Sequence, residues 1–163
     1  MKQNQVYSIL MNNWDEEISG VFIAEGTQWI LLHDNQNDFL LDGLRFVHKK
    51  NIDEILREED EQFKETVFKL KYPELPMEID FELDHTAKIL QEIKRKDLLF
   101  HFDAEDEEEI VVGKIESVSL NSFKVKTLDS RGKWSDSCVC TFEELSSIAI
   151  NNDYLFSLNL LEN

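Results

Sequence analysis

Apolar residues in the first part of the chain fall in short runs that alternate with polar ones. Val6–Met11, Ile18–Glu25, Trp29–His33 and Leu44–Lys49 are such runs and read as strands, whose side chains point to the two faces with a period of two. Polar stretches punctuate them: Asn12-Asn13-Trp14-Asp15-Glu16, then Asp34–Asp38, then the bend at Asp42-Gly43. Asn51-Ile52-Asp53-Glu54-Ile55 follows the fourth strand. The period then lengthens. Phe63, Val67 and Leu70 stand at i, i+4 and i+7, which predicts a short helix with those three side chains inward and Asp60 as its N-cap.

Tyr72-Pro73-Glu74-Leu75-Pro76 reads as a linker, since proline interrupts regular structure. Asp84 is placed to cap a central helix that carries Ala87, Leu90 and Ile93 on one side, with Ile89 beside them, and ends near Lys96. Leu98–Phe102, Ile110–Val118, Ser122–Leu128 and Cys138–Phe142 predict a second set of strands, with Asp129–Trp134 as a turn. Tyr154, Leu158 and Leu161 repeat the helical spacing, with Asp153 as the N-cap.

The two sets resemble one another at an offset of about 93 residues. Glu17-Ile18-Ser19-Gly20-Val21-Phe22 falls on Ile110-Val111-Val112-Gly113-Lys114-Ile115. Ile30 and Leu32 fall on Phe123 and Val125, Phe46 on Val139, Ile52 on Leu145 and Ile55 on Ile148. The apolar pattern repeats while the identities mostly do not. The expected fold is therefore mainly β: two tandem five-stranded barrels, each followed by a short helix, with a central helix between them. The boundaries are 1–72 for the first half, 73–97 for linker and central helix, and 98–163 for the second half. Either barrel alone would have a thin core, so packing between the halves should matter.

Phe39-Leu40-Leu41-Asp42-Gly43-Leu44-Arg45-Phe46 followed by Asn51-Ile52-Asp53-Glu54-Ile55 is similar to a pattern in uncharacterised bacterial proteins. Gly132-Lys133-Trp134 and Ile148–Leu155 resemble the other half of that pattern, and the strand order resembles SH3-like and Sm-like small barrels. The resemblance spans most of residues 6–161 and is weakest over the central helix. It implies a fold more than an activity. Sm-like proteins commonly bind RNA, but the basic loop that such binding uses has no counterpart here.

Charge argues the same way. The chain has 34 acidic and 17 basic residues, for a formal net charge of −17 spread over both halves. Such a surface repels phosphates, so neither nucleic acid nor an anionic membrane is an expected partner. The one basic cluster, Lys94-Arg95-Lys96, complements the end of the central helix. No apolar run approaches the roughly 18–20 residues that span a bilayer. Met1–Val6 carries no apolar stretch of a secretory signal, and a cytoplasmic location is expected. Cys138 and Cys140 would share one face of a strand, where closing a disulfide strains the backbone, so they are expected to be buried free thiols.

No catalytic, cofactor-binding or metal-binding residue is assigned. Asp103–Glu109 carries six carboxylates in seven residues but lacks the ligand spacing and glycine of a calcium loop, and reads as a solvated hairpin loop. His33, His48, His85 and His101 stand singly, and the strand histidines are expected to be exposed. A weak pairing of His48 with Cys140 as metal ligands follows from the repeat alone. No Gly-x-Ser-x-Gly or phosphate-cradling glycine loop occurs. Trp14 and Trp134 are expected to close the ends of the halves, Trp29 to pack against a helix, and Arg45 to pair with a neighbouring carboxylate. The expected role is a non-catalytic cytosolic module that binds protein. The alternatives are an acidic inhibitor or immunity-type protein masking a basic partner, and an enzyme or small-ligand binder with its site between the halves.

Overall fold

The computed structural model describes residues 1–103 and 110–161. The first half holds strands β1 (Val6–Met11), β2 (Glu17–Glu25), β3 (Trp29–Asp34) and β4 (Leu44–His48), a 3-10 turn at Lys49–Asn51, β5 (Ile52–Leu56) and helix α1 (Glu59–Lys71). After α2 (Thr86–Arg95) come β6 (Phe100–Asp103), β7 (Ile110–Val118), β8 (Ser122–Leu128) and β9 (Trp134–Thr141). A second 3-10 turn at Phe142–Glu144, β10 (Ser147–Ile150) and α3 (Asp153–Leu160) complete the described chain.

All ten strands lie in one open sheet in the order β5-β1-β2-β3-β4-β10-β6-β7-β8-β9, and every pairing is antiparallel. The first five strands and the last five follow the same internal order, and their ladders keep the same register. Trp29 pairs with His48, and Ser122 with Thr141; Gly20 pairs with Asp34, and Gly113 with Thr127; Ile9 pairs with Ile55, and Phe102 with Ile148. Each pair is displaced from its counterpart by 93 positions in both strands. One bulge corresponds too, at Phe22/Ala24 in β2 and at Ile115/Ser117 in β7, whereas the shifts at Leu10/Met11 and Lys126/Leu128 are not shared. Gly20 and Gly113 explain part of this. A Cβ would stand 2.4 Å from the His33 carbonyl oxygen at the first, and 2.1 Å from that of Lys126 at the second, so only glycine lets the strands approach so closely.

The halves meet where β4 pairs with β10, with Phe46 opposite Ile148 and Val47 opposite Ser147. The largest core cluster crosses this seam. It unites Trp29, Leu31 and Phe46 of the first half, Ile89, Leu90 and Ile93 of α2, and Phe100, Phe123 and Ile148 of the second. A smaller cluster around Ile9, Ile30, Leu32 and Val47 fills the first half. Trp29 is fully buried between sheet and α2, where its Nε1–H donates to Thr86 Oγ1 at 3.0 Å. Trp14 and Trp134 pack, half-buried, against the edges of two smaller clusters. The segment before α2 carries no regular structure yet is tied down: the Leu83 carbonyl accepts from Trp29 N–H at 3.1 Å, and Ile79, Phe81 and Leu83 pack on the central core.

The structure corrects the expected helix faces. Phe63 and Leu70 of α1 are 60% and 82% exposed, while Glu61, Glu65 and Phe68 are buried. The reason is the strand beneath, which offers polar donors. Glu61 accepts from Ser8 Oγ at 2.9 Å, and Glu65 from Val6 N–H at 3.3 Å and Arg57 at 2.9 Å. In α3, Tyr154 and Leu161 are likewise exposed, and Leu155 and Leu158 are the buried pair. The caps shift too. Glu58, in a capping box with Glu61, precedes α1, and Asn152 caps α3 through Leu155 N–H. His85 occupies the N-cap position of α2, leaving the Asp84 carboxylate to accept from Thr27 N–H.

Truncating the seam tests whether one core serves both halves. Ile148→Ala removes buried volume at the β4–β10 junction and should destabilise the protein by about 2–5 kcal/mol. In urea unfolding, tryptophan fluorescence and far-UV circular dichroism should shift together in one transition. Two transitions with only one displaced would show that the halves unfold independently.

Candidate functional site

Two places gather polar and apolar groups in a way that a core does not need. The first lies at the seam. Arg45 sits in β4 opposite Ala149, with its side chain 12% exposed. Its Nε donates to Asp34 at 3.1 Å, and its Nη1 donates to Asp103 at 2.6 Å and to Ser147 Oγ at 2.9 Å. Ser147 Oγ in turn donates to Asp103. One guanidinium thereby ties the ends of β3 and β6 to β4 and β10. The arrangement satisfies the fork of donors that a buried arginine carries.

His101 of β6 lies beside this group, with Nδ1 3.9 Å from Asp103 Oδ1. Asn152 fixes its tautomer. The Asn152 Oδ1 accepts Leu155 N–H in the cap of α3, so its amide nitrogen faces His101 Nε2 at 3.3 Å and donates to it. The proton then resides on Nδ1, which is buried and has no hydrogen-bond partner. Burial, followed by the nearby Arg45 charge, pushes the His101 pKa down to about 4 against the opposing pull of Asp103. The ring is neutral at neutral pH. A cavity of about 410 Å³ opens over the cluster, with Trp14, Asn35 and Tyr154 among its walls.

Arg45 is held by two carboxylates and a hydroxyl, so it offers no unopposed charge to an anion. Ser147 donates to Asp103 and makes no hydrogen bond to His101, so the imidazole is not placed to activate it. The site reads as a structural clamp.

The second place is the rim between α1 and the β3–β4 connection. Gly43 turns that connection at φ +78°, and a Cβ there would meet the Ile150 carbonyl oxygen at 2.5 Å. Asn35 anchors it by donating to the carbonyls of Asp38 and Leu40, both at 3.0 Å. Lys71 Nζ also holds it by donating to the Phe39 carbonyl at 2.8 Å. The loop so held presents Phe39 against Phe63 of α1, edge to face with centroids 5.9 Å apart. Both rings face solvent, at 37% and 60% exposure. Around them stand Glu17, Asp38, Glu58, Glu59 and Asp60, bordering an open groove of about 800 Å³. An aromatic pair in an acidic frame is suited to an apolar side chain flanked by lysine or arginine.

The remaining sequence candidates are dispersed. His48 accepts from Lys50 N–H at 3.1 Å, and its ring lies edge-on to Trp29 with centroids 4.6 Å apart. Cys140 lies instead beside Cys138, with sulfurs 3.7 Å apart and no disulfide between them. Cys140 is buried and Cys138 half-buried. His33 meets the Pro76 carbonyl at 2.6 Å, and His85 meets Glu82 at 2.6 Å. The expected exposure of the strand histidines fails most clearly at His101, because β6 lies inside the sheet and all four of its residues are buried. Among the described residues no group of three metal-binding side chains occurs. Of the acidic run only Asp103 is described, and residues 104–109 lie outside. Among the described residues no helix is long and apolar enough to cross a membrane. Comparison with protein-family models, with curated proteins and with solved structures gave no match.

The depressed histidine predicts a pH dependence of stability. In the unfolded chain His101 titrates near 6.5, and in the folded chain near 4. Between those values the unfolded state binds the extra proton, so stability is complete above about pH 6.5 and falls toward pH 4. His48, also pushed to about 4 by burial and then by Lys50, acts in the same sense, as does His33 through burial. Removing one such group, His101→Asn, should lessen the acid-induced loss by on the order of 3 kcal/mol. Urea titrations of both proteins at pH 7.5 and pH 4.5 measure this. An unchanged pH dependence in the variant would refute the assignment.

Proposed function

We propose that this protein is a non-catalytic binding module whose acidic, aromatic groove between α1 and the β3–β4 connection receives a basic segment of a partner protein. The observation that carries the reading is the Phe39–Phe63 pair, exposed within a ring of carboxylates where a core helix face was expected. Large apolar side chains brought together at a surface and rimmed by charge mark interaction sites more often than they mark packing. The net charge of −17 supports a basic partner by steering its approach, and opposes nucleic acid and anionic membrane.

The architecture behind the module is, in this reading, a duplicated small barrel of the SH3-like or Sm-like kind. The recurrence of strand order and of register at one constant offset supports it. The location we propose is the cytoplasm, where a reducing environment suits the adjacent thiols of Cys138 and Cys140. An acidic inhibitor that masks a basic surface is the special case in which the partner's own site is what the groove covers. A catalytic site at the seam is the less favoured reading, since Arg45, Ser147 and the two carboxylates are already engaged with one another.

Capture of partners from native lysate tests the proposal when the wild type is compared with Phe63→Ala. The side chain is exposed, so the variant should keep its fold and thermal midpoint. A protein retained by the wild type, released by raised salt and reduced at least tenfold with Phe63→Ala is the expected outcome. A partner bound equally by the variant would move the site elsewhere on the molecule.

A further inference from the structure

The seam inside the chain is a meeting of two sheet edges, and the same two kinds of edge lie free at the ends of the sheet. In the register that relates the halves, β9 occupies the place of β4 and β5 the place of β10. Neither β5 nor β9 pairs with a second strand among the described residues. Such edges present unpaired backbone donors and acceptors, and proteins usually blunt them with proline, lysine or covering structure. β9, reading Trp-Ser-Asp-Ser-Cys-Val-Cys-Thr, has neither proline nor lysine.

The side chains correspond as closely as the strands. At the seam Phe46 stands opposite Ile148, and both are fully buried. Their counterparts at the free edges are Val139 on β9 and Ile55 on β5, which are 68% and 40% exposed. Ile55 faces Ile9, a fully buried member of the first-half core, and so forms the uncovered border of that core. Ile148 borders the other core in the same way, and there Phe46 covers it.

We propose that copies of this chain associate head to tail, the β9 edge of one pairing antiparallel with the β5 edge of the next, with Val139 opposite Ile55. The same register sets Cys138 opposite Leu56, Cys140 opposite Glu54 and Ser137 opposite Arg57. No like charges stand directly opposite in these four pairs; Val139 meets Ile55 and Cys138 meets Leu56, while Cys140, which belongs to the buried core, stands opposite Glu54. The contact is heterologous, because the two surfaces differ, so it propagates until it closes into a ring or continues as a filament. It uses different side chains from the groove at Phe39 and Phe63. Copies that each carry a net charge of −17 repel, so added salt strengthens this association, whereas it weakens the capture of a basic partner.

Light scattering coupled to size exclusion, over a range of protein and salt concentrations, tests the proposal. The wild-type mass should rise with both, and Phe63→Ala should behave like the wild type. Val139→Lys spoils the β9 edge and Ile55→Lys the β5 edge, so each alone should remain monomeric. Mixed in equal amounts they retain one intact pairing, β9 of the Ile55→Lys chain with β5 of the Val139→Lys chain, and should form a dimer and nothing larger. Circular dichroism checks that both variants fold. If Ile55→Lys does not, Val139→Lys alone decides by its effect on the wild-type mass. A wild type that stays monomeric throughout, a Val139→Lys chain that still assembles, or a mixture of folded variants that remains monomeric would each overturn the proposal.

Discussion

The ladder between β4 and β10 joins residues 44–47 to residues 147–150, and it makes one sheet out of two. It places Phe46 and Ile148 side by side in the largest core cluster. It also sets Arg45 within reach of Asp103 and Ser147, which belong to the other half. A guanidinium with so little access to water is tolerated only when its donors are matched, and three acceptors from three strands match them here. The clamp therefore depends on the seam, and the seam on the clamp. Leaving Asp34 and Asp103 without Arg45 would bury two carboxylates next to each other's charge.

The two halves share one backbone plan but use its outer face differently. Leu31 in β3 is fully buried under α2, whereas its counterpart Lys124 in β8 is exposed and pairs with Glu116 at 3.0 Å. The bulge residue follows the same division: Ile23 packs into the central core, and Glu116 faces water. Helix α2 runs against β7 and joins the central core that also takes in Leu31 and Ile23. In the second half α3 instead closes a separate cluster with Leu99, Val112 and Leu128. Identical ladders with different coverings account for a repeat visible in the pattern of apolar residues and nearly invisible in their identities.

The strands were legible as short apolar runs between polar turns; alternation survives in Ser122–Leu128, whereas Val6–Met11 is buried on both faces. Their partners were legible only within each half. Nothing in the local pattern of Leu44–His48 or Ser147–Ile150 says that these two strands adjoin, since pairing across a hundred residues leaves no periodic trace. α1 was misread for a different reason. Periodicity assigns the apolar face inward, but Glu61 and Glu65 find donors in Ser8, Val6 and Arg57 that the helix's own sequence does not contain. The groove at Phe39 and Phe63 was hidden by that same inversion. His101 was hidden by the alternation Phe-His-Phe-Asp, which predicts a face open to water, whereas β6 lies inside the sheet with all four residues buried.

The position of β10 has a consequence for the order of events on the ribosome. The strand that fills the gap between β4 and β6 is the last of the ten to be synthesised, so each of its neighbours emerges earlier with that edge unmatched. From the completion of β5 until β10 emerges, the inner border of the first sheet at Phe46 is unmatched, and once β6 is made the border at Phe102 is open as well. Closure requires a connection of about a hundred residues, a slow and highly non-local step. An excess of 34 carboxylates over 17 basic groups would make neighbouring chains repel one another during that interval.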